Sequence, residues 1–144
     1  MTISRDKKQK TCWDGWFCIT LPSGWVLDET GDATSIYNPK GVGAITVSMY
    51  SEKVRMDQES LALALRFADG IGITRSQVSV RRTGDDFSII EFSENQNEHY
   101  WKIAAFHRAK QAVVMSYNSS IEEQERDAGD VDSIFGSFEW DLRA

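Results

Sequence analysis

Residues 87–108 read FSIIEFSENQNEHYWKIAAFHR and decide the fold. Apolar and polar residues alternate on both sides of a polar loop at 95–98, which is typical of an antiparallel hairpin. If the four-residue loop sets the register, opposite residues pair as Phe92 with Trp101, Ile90 with Ile103, Ser88 with Ala105, Ile89 with Ala104, Phe87 with Phe106, and Glu91 with Lys102. This register predicts one continuous apolar face and, on the opposite face, a charge pair and an aromatic pair.

The rest of the chain alternates between strand and helix patterns. We expect strands at 16–21, 35–38 and 43–50, joined as an antiparallel meander, and further strands at 77–82, 112–117 and 138–140. The turn between Arg108 and Gln111 fits a two-residue or a three-residue loop, and the two choices place Val113, Met115 and Tyr117 on opposite faces.

Two segments have helical spacing. Asp57 can cap the first, Gly70 stands where a C′ glycine belongs, and its apolar stripe consists of Leu61, Ala64, Leu65 and Ala68. Ser120 and Glu123 predict a capping box for the second, whose stripe consists of Ile121, Ala128, Val131, Ile134 and Phe135. The pattern predicts an α+β fold, with an antiparallel sheet of about six or seven strands flanked by two helices.

Length and charge restrict the class of protein. The 144 residues suit a single domain, here a basic flexible tail at 1–11 followed by one globular domain at 12–144. A net charge of −6 argues against nucleic acid as a partner, because phosphates require a cationic surface. No apolar run is long enough for a membrane span, and no apolar segment follows the basic start as in a secretory signal.

The two cysteines are expected to be free thiols. On one extended strand Cys12 and Cys18 would lie about 20 Å apart. A two-residue turn at Asp14-Gly15 would instead place Cys12 opposite Phe17. Two free thiols are typical of a reducing compartment, so the prediction is a cytoplasmic protein.

The motifs that carry chemistry are absent from the sequence. His99 and His107 would lie about 26 Å apart on one strand and could not share an ion. There is no phosphate-binding loop, no nucleophile elbow and no clustered zinc ligands. We therefore expect no metal, no cofactor and no catalytic residue, and the sequence favours a protein that is not an enzyme.

Acidic residues are concentrated at 120–132, where Arg126 is the single basic residue. Because the apolar stripe of the second helix packs inward, we expect Glu122, Glu125, Asp127 and Asp132 to face a partner protein with a basic surface. Trp13 and Trp16, close to the start of the domain, are further candidates for contact with a partner.

Three short segments carry a family resemblance: FCITLPSGW at 17–25, SIYNP at 35–39 and ITVSM at 45–49. A strand ending in Pro-x-Gly-Trp, a strand ending near a proline, an alternating strand and then a helix resemble the PsbP/Mog-like superfamily. The likeness covers about residues 14–141 and implies a curved antiparallel sheet with helices on both sides, an α/β/α sandwich. Known members bind proteins more than they catalyse reactions, and they offer no catalytic motif to transfer.

The leading hypothesis is a cytoplasmic bacterial protein-binding module without a reaction of its own, such as an immunity protein or a secretion-associated adaptor. The alternative is a small-molecule-binding protein or hydrolase with a pocket between sheet and helix. The partner's identity and the oligomeric state do not follow from the sequence.

Overall fold

The computed structural model describes residues 8–31, 33–51, 60–84, 86–94 and 98–142. Its strands are β1 Gln9–Trp13, β2 Phe17–Leu21, β3 Val26–Asp28, β4 Thr34–Tyr37, β5 Ala44–Ser51, β6 Ser79–Thr83, β7 Phe87–Glu94, β8 His99–Arg108, β9 Gln111–Ser120 and β10 Glu139–Trp140. Its helices are α1 Ser60–Gly70 and α2 Gln124–Gly136.

The strands form two antiparallel sheets. The larger has seven strands in the order β3-β4-β5-β9-β8-β7-β6, and the smaller has three in the order β1-β2-β10. The predicted meander is therefore wrong for its first strand, because β2 pairs with β1 and β10 and not with β4. Alternating apolar residues indicate which face of a strand is buried, and they leave the neighbouring strand undetermined.

The register predicted for the β7–β8 hairpin is confirmed. Phe92 lies opposite Trp101 and Ile90 opposite Ile103. Trp101 is partly buried, whereas Phe92, Ile90 and Ile103 are fully buried. The loop residues 95–97 lie outside the described part of the chain.

The hairpin from β8 to β9 turns over two residues. Arg108 pairs with Gln111, and Ala109 in the turn has a φ of 42°. The two-residue alternative is therefore the one that occurs. It places Val113, Met115 and Tyr117 in one buried cluster with Ala104 and Phe106.

The seven-stranded sheet is covered on both faces. On one face, α1 contributes Ala64 and Ala68 to a buried cluster. The other members of this cluster are Ile73, Val78, Ile90, Phe92, Ile103, Ala105 and Val114. On the other face, α2 contributes Val131, Ile134 and Phe135 to a larger core that also includes the inner side of β2. The α+β architecture with helices on both sides of the sheet agrees with the predicted fold class.

The first helix ends in a Schellman motif that the sequence pattern misplaced. Ile73 N donates to Ala68 O at 2.9 Å, Gly72 N donates to Asp69 O at 2.9 Å, and Gly72 has a φ of +87°. The C′ glycine is thus Gly72 and not Gly70, which is the last helical residue. The proposed cap Asp57 lies outside the described residues.

The second helix begins later than its predicted capping box. Ser120 is the last residue of β9, where it pairs with His99, so it cannot cap α2. Glu123 occupies the N-cap position without a side-chain capping bond. Ala128 is exposed, and Asp127 is buried in the stripe instead.

Cys12 and Cys18 form a disulfide, so the prediction of free thiols is wrong. The β1–β2 turn contains three residues, 14–16, which pairs Trp13 with Phe17 and places the cysteines directly opposite each other with Cα atoms 4.0 Å apart. One additional turn residue changes which side chains meet across the hairpin. Because disulfides persist mainly in oxidising compartments, the thiol argument for a cytoplasmic protein no longer holds.

The small sheet begins inside the segment predicted as a tail. Residues 9–11 belong to β1, and Lys10 forms an ion pair with Glu139 of β10 at 3.5 Å. Arg108 joins this sheet to β8: its guanidinium donates to the carbonyl of Asp141 at 2.8 Å and lies 4.6 Å from the ring of Trp140. Within the described residues, no helix is long and apolar enough to cross a membrane.

Candidate functional site

Asp127 is predicted to face a partner, but its carboxylate is used inside the fold. The residue is 3% exposed and accepts hydrogen bonds from Tyr117 Oη at 2.8 Å and Gly43 N at 3.2 Å. A Cβ on Gly41 would lie 2.6 Å from Asp127 Oδ1, so the glycine allows the β4–β5 loop to approach the carboxylate. The prediction that Asp127 is available to a partner is wrong, because α2 turns this residue toward the sheet.

Two further carboxylates of α2 also bind within the molecule. Asp130 Oδ2 accepts a hydrogen bond from Trp25 Nε1 at 2.8 Å. Asp132 forms an ion pair with Lys102 of β8, although its own side chain remains largely exposed. Lys102 lies opposite Glu91 as predicted, but it pairs with α2 instead. Three carboxylates of α2, those of Asp127, Asp130 and Asp132, therefore hold the helix against the rest of the fold.

Glu122 and Glu125 remain exposed at the N-terminal end of α2. Their negative charge near the start of the helix also suits the helix dipole. Of the four acidic residues proposed to bind a basic partner, Asp127 and Asp132 make the contacts described above, whereas Glu122 and Glu125 are exposed, and the role of these two in binding stays a prediction.

Trp13 and Trp16 are both partly buried in the β1–β2 hairpin. The ring of Trp13 stacks on Phe17 at 4.6 Å, and the series of rings continues to Phe138 at 4.9 Å and from there to Phe106 at 3.7 Å. These contacts join the small sheet to the large one. The structure therefore gives Trp13 a packing role, and its contact with a partner stays a prediction.

A cleft of about 230 Å³ lies between α2 and the β6 side of the large sheet. The residues that line it are Arg81, Arg82, Ile89, Lys102 and Asp132. Ile89 is 6% exposed and Lys102 is 9% exposed, whereas both arginines are exposed. The cleft thus combines a small apolar floor with three cations and one carboxylate.

Neighbouring groups orient the cleft's cations. Arg81 forms an ion pair with Glu91 at 3.4 Å, and Glu91 also accepts a hydrogen bond from Tyr100 Oη. The guanidinium of Arg82 lies 5.3 Å from the centre of the Phe87 ring, within the range of a cation–π contact. Both arginines are therefore held at the sheet surface while their side chains stay exposed to solvent.

Two tyrosines beside these carboxylates, the partly buried Tyr100 and the buried Tyr117, stay protonated through neutral pH. Burial, followed by the hydrogen bond to Glu91, raises the pKa of Tyr100 above its ordinary value. Burial also raises the pKa of Tyr117, and the Asp127 carboxylate adds to this effect. Both phenols can therefore act as hydrogen-bond donors under physiological conditions, and neither is an activated base.

The β6 strand forms one edge of the large sheet and borders the cleft. All five of its residues are exposed, and in the described part of the chain it pairs with β7 alone. Val80 lies opposite Ile90 and Arg82 opposite Ile89, so Arg81 forms a bulge. An edge strand presents backbone N–H and C=O groups that can pair with another extended chain.

Metal ligands do not cluster in the described residues: no group of three or more His, Cys, Asp or Glu side chains is placed to hold an ion. His99 is exposed at the start of β8, and His107 is partly buried near its end. Nδ1 of His107 is buried and has no hydrogen-bond partner within the described part of the chain.

The cleft was not predicted from the sequence, although one signal for it was present. Arg81 and Arg82 are adjacent, whereas the alternation of a regular strand would place them on opposite faces. The bulge at Arg81 and the ion pair of Lys102 with α2 bring the three cations together, and both depend on contacts between distant segments.

Two solved structures are similar to the whole chain. The solution structure of cyanobacterial PsbP (CyanoP) from Synechocystis sp. PCC 6803 matches with a TM-score of 0.66 and 11% identity, over 94% of each chain. A crystal structure from Bacteroides thetaiotaomicron VPI-5482 matches with a TM-score of 0.62 and 17% identity, over 92% of this chain and 48% of that one. The chain therefore spans about half the length of the Bacteroides protein.

No family model and no curated protein matches the sequence. The similarity to the two solved structures, at such low identity, establishes the fold alone. The chain has a PsbP-like fold, as the short segments at 17–25, 35–39 and 45–49 indicated.

Proposed function

We propose that the protein is a non-enzymatic protein-binding module that holds an extended segment of its partner along β6, beside the cleft. The observation that carries this proposal is the coincidence of an open sheet edge with a cleft on the same side of the molecule. In strand addition, the backbone of the edge provides affinity and adjacent side-chain pockets provide specificity.

A comparative capture experiment tests this proposal. The purified protein, the double variant Arg81→Glu/Arg82→Glu and the control Lys110→Glu, which changes an exposed turn residue, are each used to retain proteins from the native organism. We expect a partner that the protein and the control retain and that the double variant loses. Equal retention by all three proteins would contradict the proposed docking surface.

A small-molecule-binding protein or hydrolase is the second candidate, because the cleft lies between the sheet and α2. Three cations over an apolar floor would suit a small organic anion. Thermal unfolding with a panel of small dicarboxylates and phosphates tests this function. A rise in Tm that Arg82→Gln abolishes would support it, and unchanged Tm values across the panel would count against it.

We also propose that the protein is a bacterial member of the PsbP/Mog-like superfamily and acts as an immunity protein or a secretion-associated adaptor. The PsbP-like fold supports it. A cytoplasmic location stays part of the proposal, although the disulfide favours an oxidising compartment. Fractionation of the native cells, with the redox state of the cysteines measured in each fraction, decides between the two compartments.

A further inference from the structure

The chemistry of the β6 cleft points to one class of partner, an inference that rests on the proposed function. The whole chain carries a net charge of −6, yet around the cleft the three cations Arg81, Arg82 and Lys102 outnumber two carboxylates, Asp132 in the lining and Glu91 paired with Arg81. Local charge is therefore opposite in sign to that of the molecule. A cationic surface on an acidic protein attracts a negatively charged segment and repels a basic one.

Charge also argues against a second copy of this chain as the occupant of the edge. Antiparallel pairing of two β6 strands would bring Arg81 and Arg82 close to the same residues of the other copy. Like charges that face each other across a strand pair are destabilising. The arginines and the bulge thus disfavour self-association, as charges and bulges do on other sheet edges.

The buried cation of the cleft can accept an additional ligand. Lys102 is 9% exposed and its ammonium group is paired with Asp132. An ammonium group has three donors, so the pair with Asp132 leaves donor capacity that a ligand carboxylate could use. Asp132 itself is largely exposed and can turn away toward solvent.

We infer that the cleft and the β6 edge bind an extended acidic peptide segment in which every second residue is Asp or Glu. Alternate side chains of a strand point to one face. Strand addition to β6 would therefore direct one set of side chains toward Arg82 and the β6 side of the cleft, whose inner end holds Lys102 of β8, and the other set toward the opposite face of the sheet. Carboxylates in the first set would meet the cations of the cleft.

Synthetic peptides test the inference with the intact protein. A fluorescent peptide of alternating glutamate and valine is compared with peptides in which glutamine or lysine replaces glutamate. We expect the glutamate peptide to bind, the glutamine peptide to bind about tenfold more weakly and the lysine peptide not to bind. Equal binding of the glutamate and glutamine peptides would overturn the inference.

Protein variants locate the site of binding. Arg81→Gln/Arg82→Gln should weaken binding of the glutamate peptide roughly tenfold, and added salt should reduce this difference, since exposed ion pairs are screened. Lys110→Gln removes an exposed cation from the β8–β9 turn and should leave the affinity unchanged. An equal loss in both variants would show that only overall charge matters and would overturn the site.

Backbone methylation of the peptide tests strand addition without altering the protein. Methyl groups on alternate nitrogens block one edge of a strand, so one of the two alternately methylated glutamate peptides should lose binding and the other should keep it. Equal binding of both would contradict pairing with β6. If partner capture depends on the arginines while peptide charge has no effect, the proposed function holds and the acidic class of ligand is wrong.

Discussion

Individual carboxylates of α2 serve the fold, and Asp127 shows how. Its side chain satisfies the hydroxyl of Tyr117 and the backbone of the β4–β5 loop in a buried site. A buried polar group that loses its partner retains the full cost of desolvation, so replacing such a carboxylate lowers the stability of the fold. Glu125, on the same helix, is exposed instead.

Replacement of Asp127 by Asn should lower the free energy of unfolding by about 1–3 kcal/mol, because a neutral amide oxygen is a weaker acceptor than the carboxylate Oδ2 that receives the hydrogen bonds of Tyr117 and Gly43. Glu125→Gln, on the exposed side of α2, is the matched control and should change stability by less than about 0.5 kcal/mol. Urea unfolding measures both variants. Equal effects would mean that Asp127 is as solvated as Glu125.

Alkaline pH tests the partly buried Tyr100 and the buried Tyr117. The folded-state pKa of both Tyr100 and Tyr117 is raised above the unfolded value, so the stability they contribute is present below about pH 10 and is lost as the pH rises above it. The free energy of unfolding should therefore fall above about pH 10. Tyr117→Phe should make this fall smaller, and a tyrosinate absorbance titration should lose late-ionising amplitude in the variant. An unchanged titration curve in the Tyr117→Phe variant would contradict the raised pKa of Tyr117.

At the scale of secondary-structure elements, local rules explain which features the sequence could predict. The register of β7 and β8 follows from the length of the loop and from the match of Phe92 with Trp101 and of Ile90 with Ile103, all within one hairpin. The pairing of Cys12 with Cys18 depends on a single additional turn residue, Trp16, which no alternation pattern specifies. Small differences in turn length thus decide features that side-chain patterns alone do not.

The disulfide should stabilise the protein only modestly, because the loop that it closes is short. The cysteines are six residues apart, for which the chain-entropy estimate gives about 2 kcal/mol. Cys12→Ser/Cys18→Ser should therefore lower the free energy of unfolding by that amount, as measured in urea. Mass spectrometry of the protein without reductant should give the mass of the oxidised chain. The mass of the reduced chain would contradict the pairing.

The candidate site was less predictable than the fold for a physical reason. The acidic residues of α2 suggested a surface, but their burial is determined by distant partners such as Trp25, Tyr117 and Lys102. The cations of the cleft come from two strands, β6 and β8, and acquire a common location only when the sheet forms. Helical periodicity describes one segment at a time and cannot supply these contacts.

At the scale of the whole molecule, the two faces of the large sheet have different surroundings. One face carries α1, and the other carries α2 and the small sheet, which is connected through stacked aromatic rings. The cleft lies beside α2 and is bordered by the β6 edge. Its positive charge contrasts with the net negative charge of the chain, and this contrast is the basis for an acidic partner.

The measurement that tests this account most directly is an NMR titration of the isotope-labelled protein with the alternating glutamate–valine peptide, followed by amide hydrogen exchange. We predict that chemical-shift changes concentrate in Ser79–Thr83 of β6 and extend across the cleft to Lys102, and that outward-facing amides of β6 exchange more slowly in the complex. Changes centred on β3, at the other edge of the sheet, or on α1, or the absence of any change at peptide saturation, would contradict an acidic segment bound along β6.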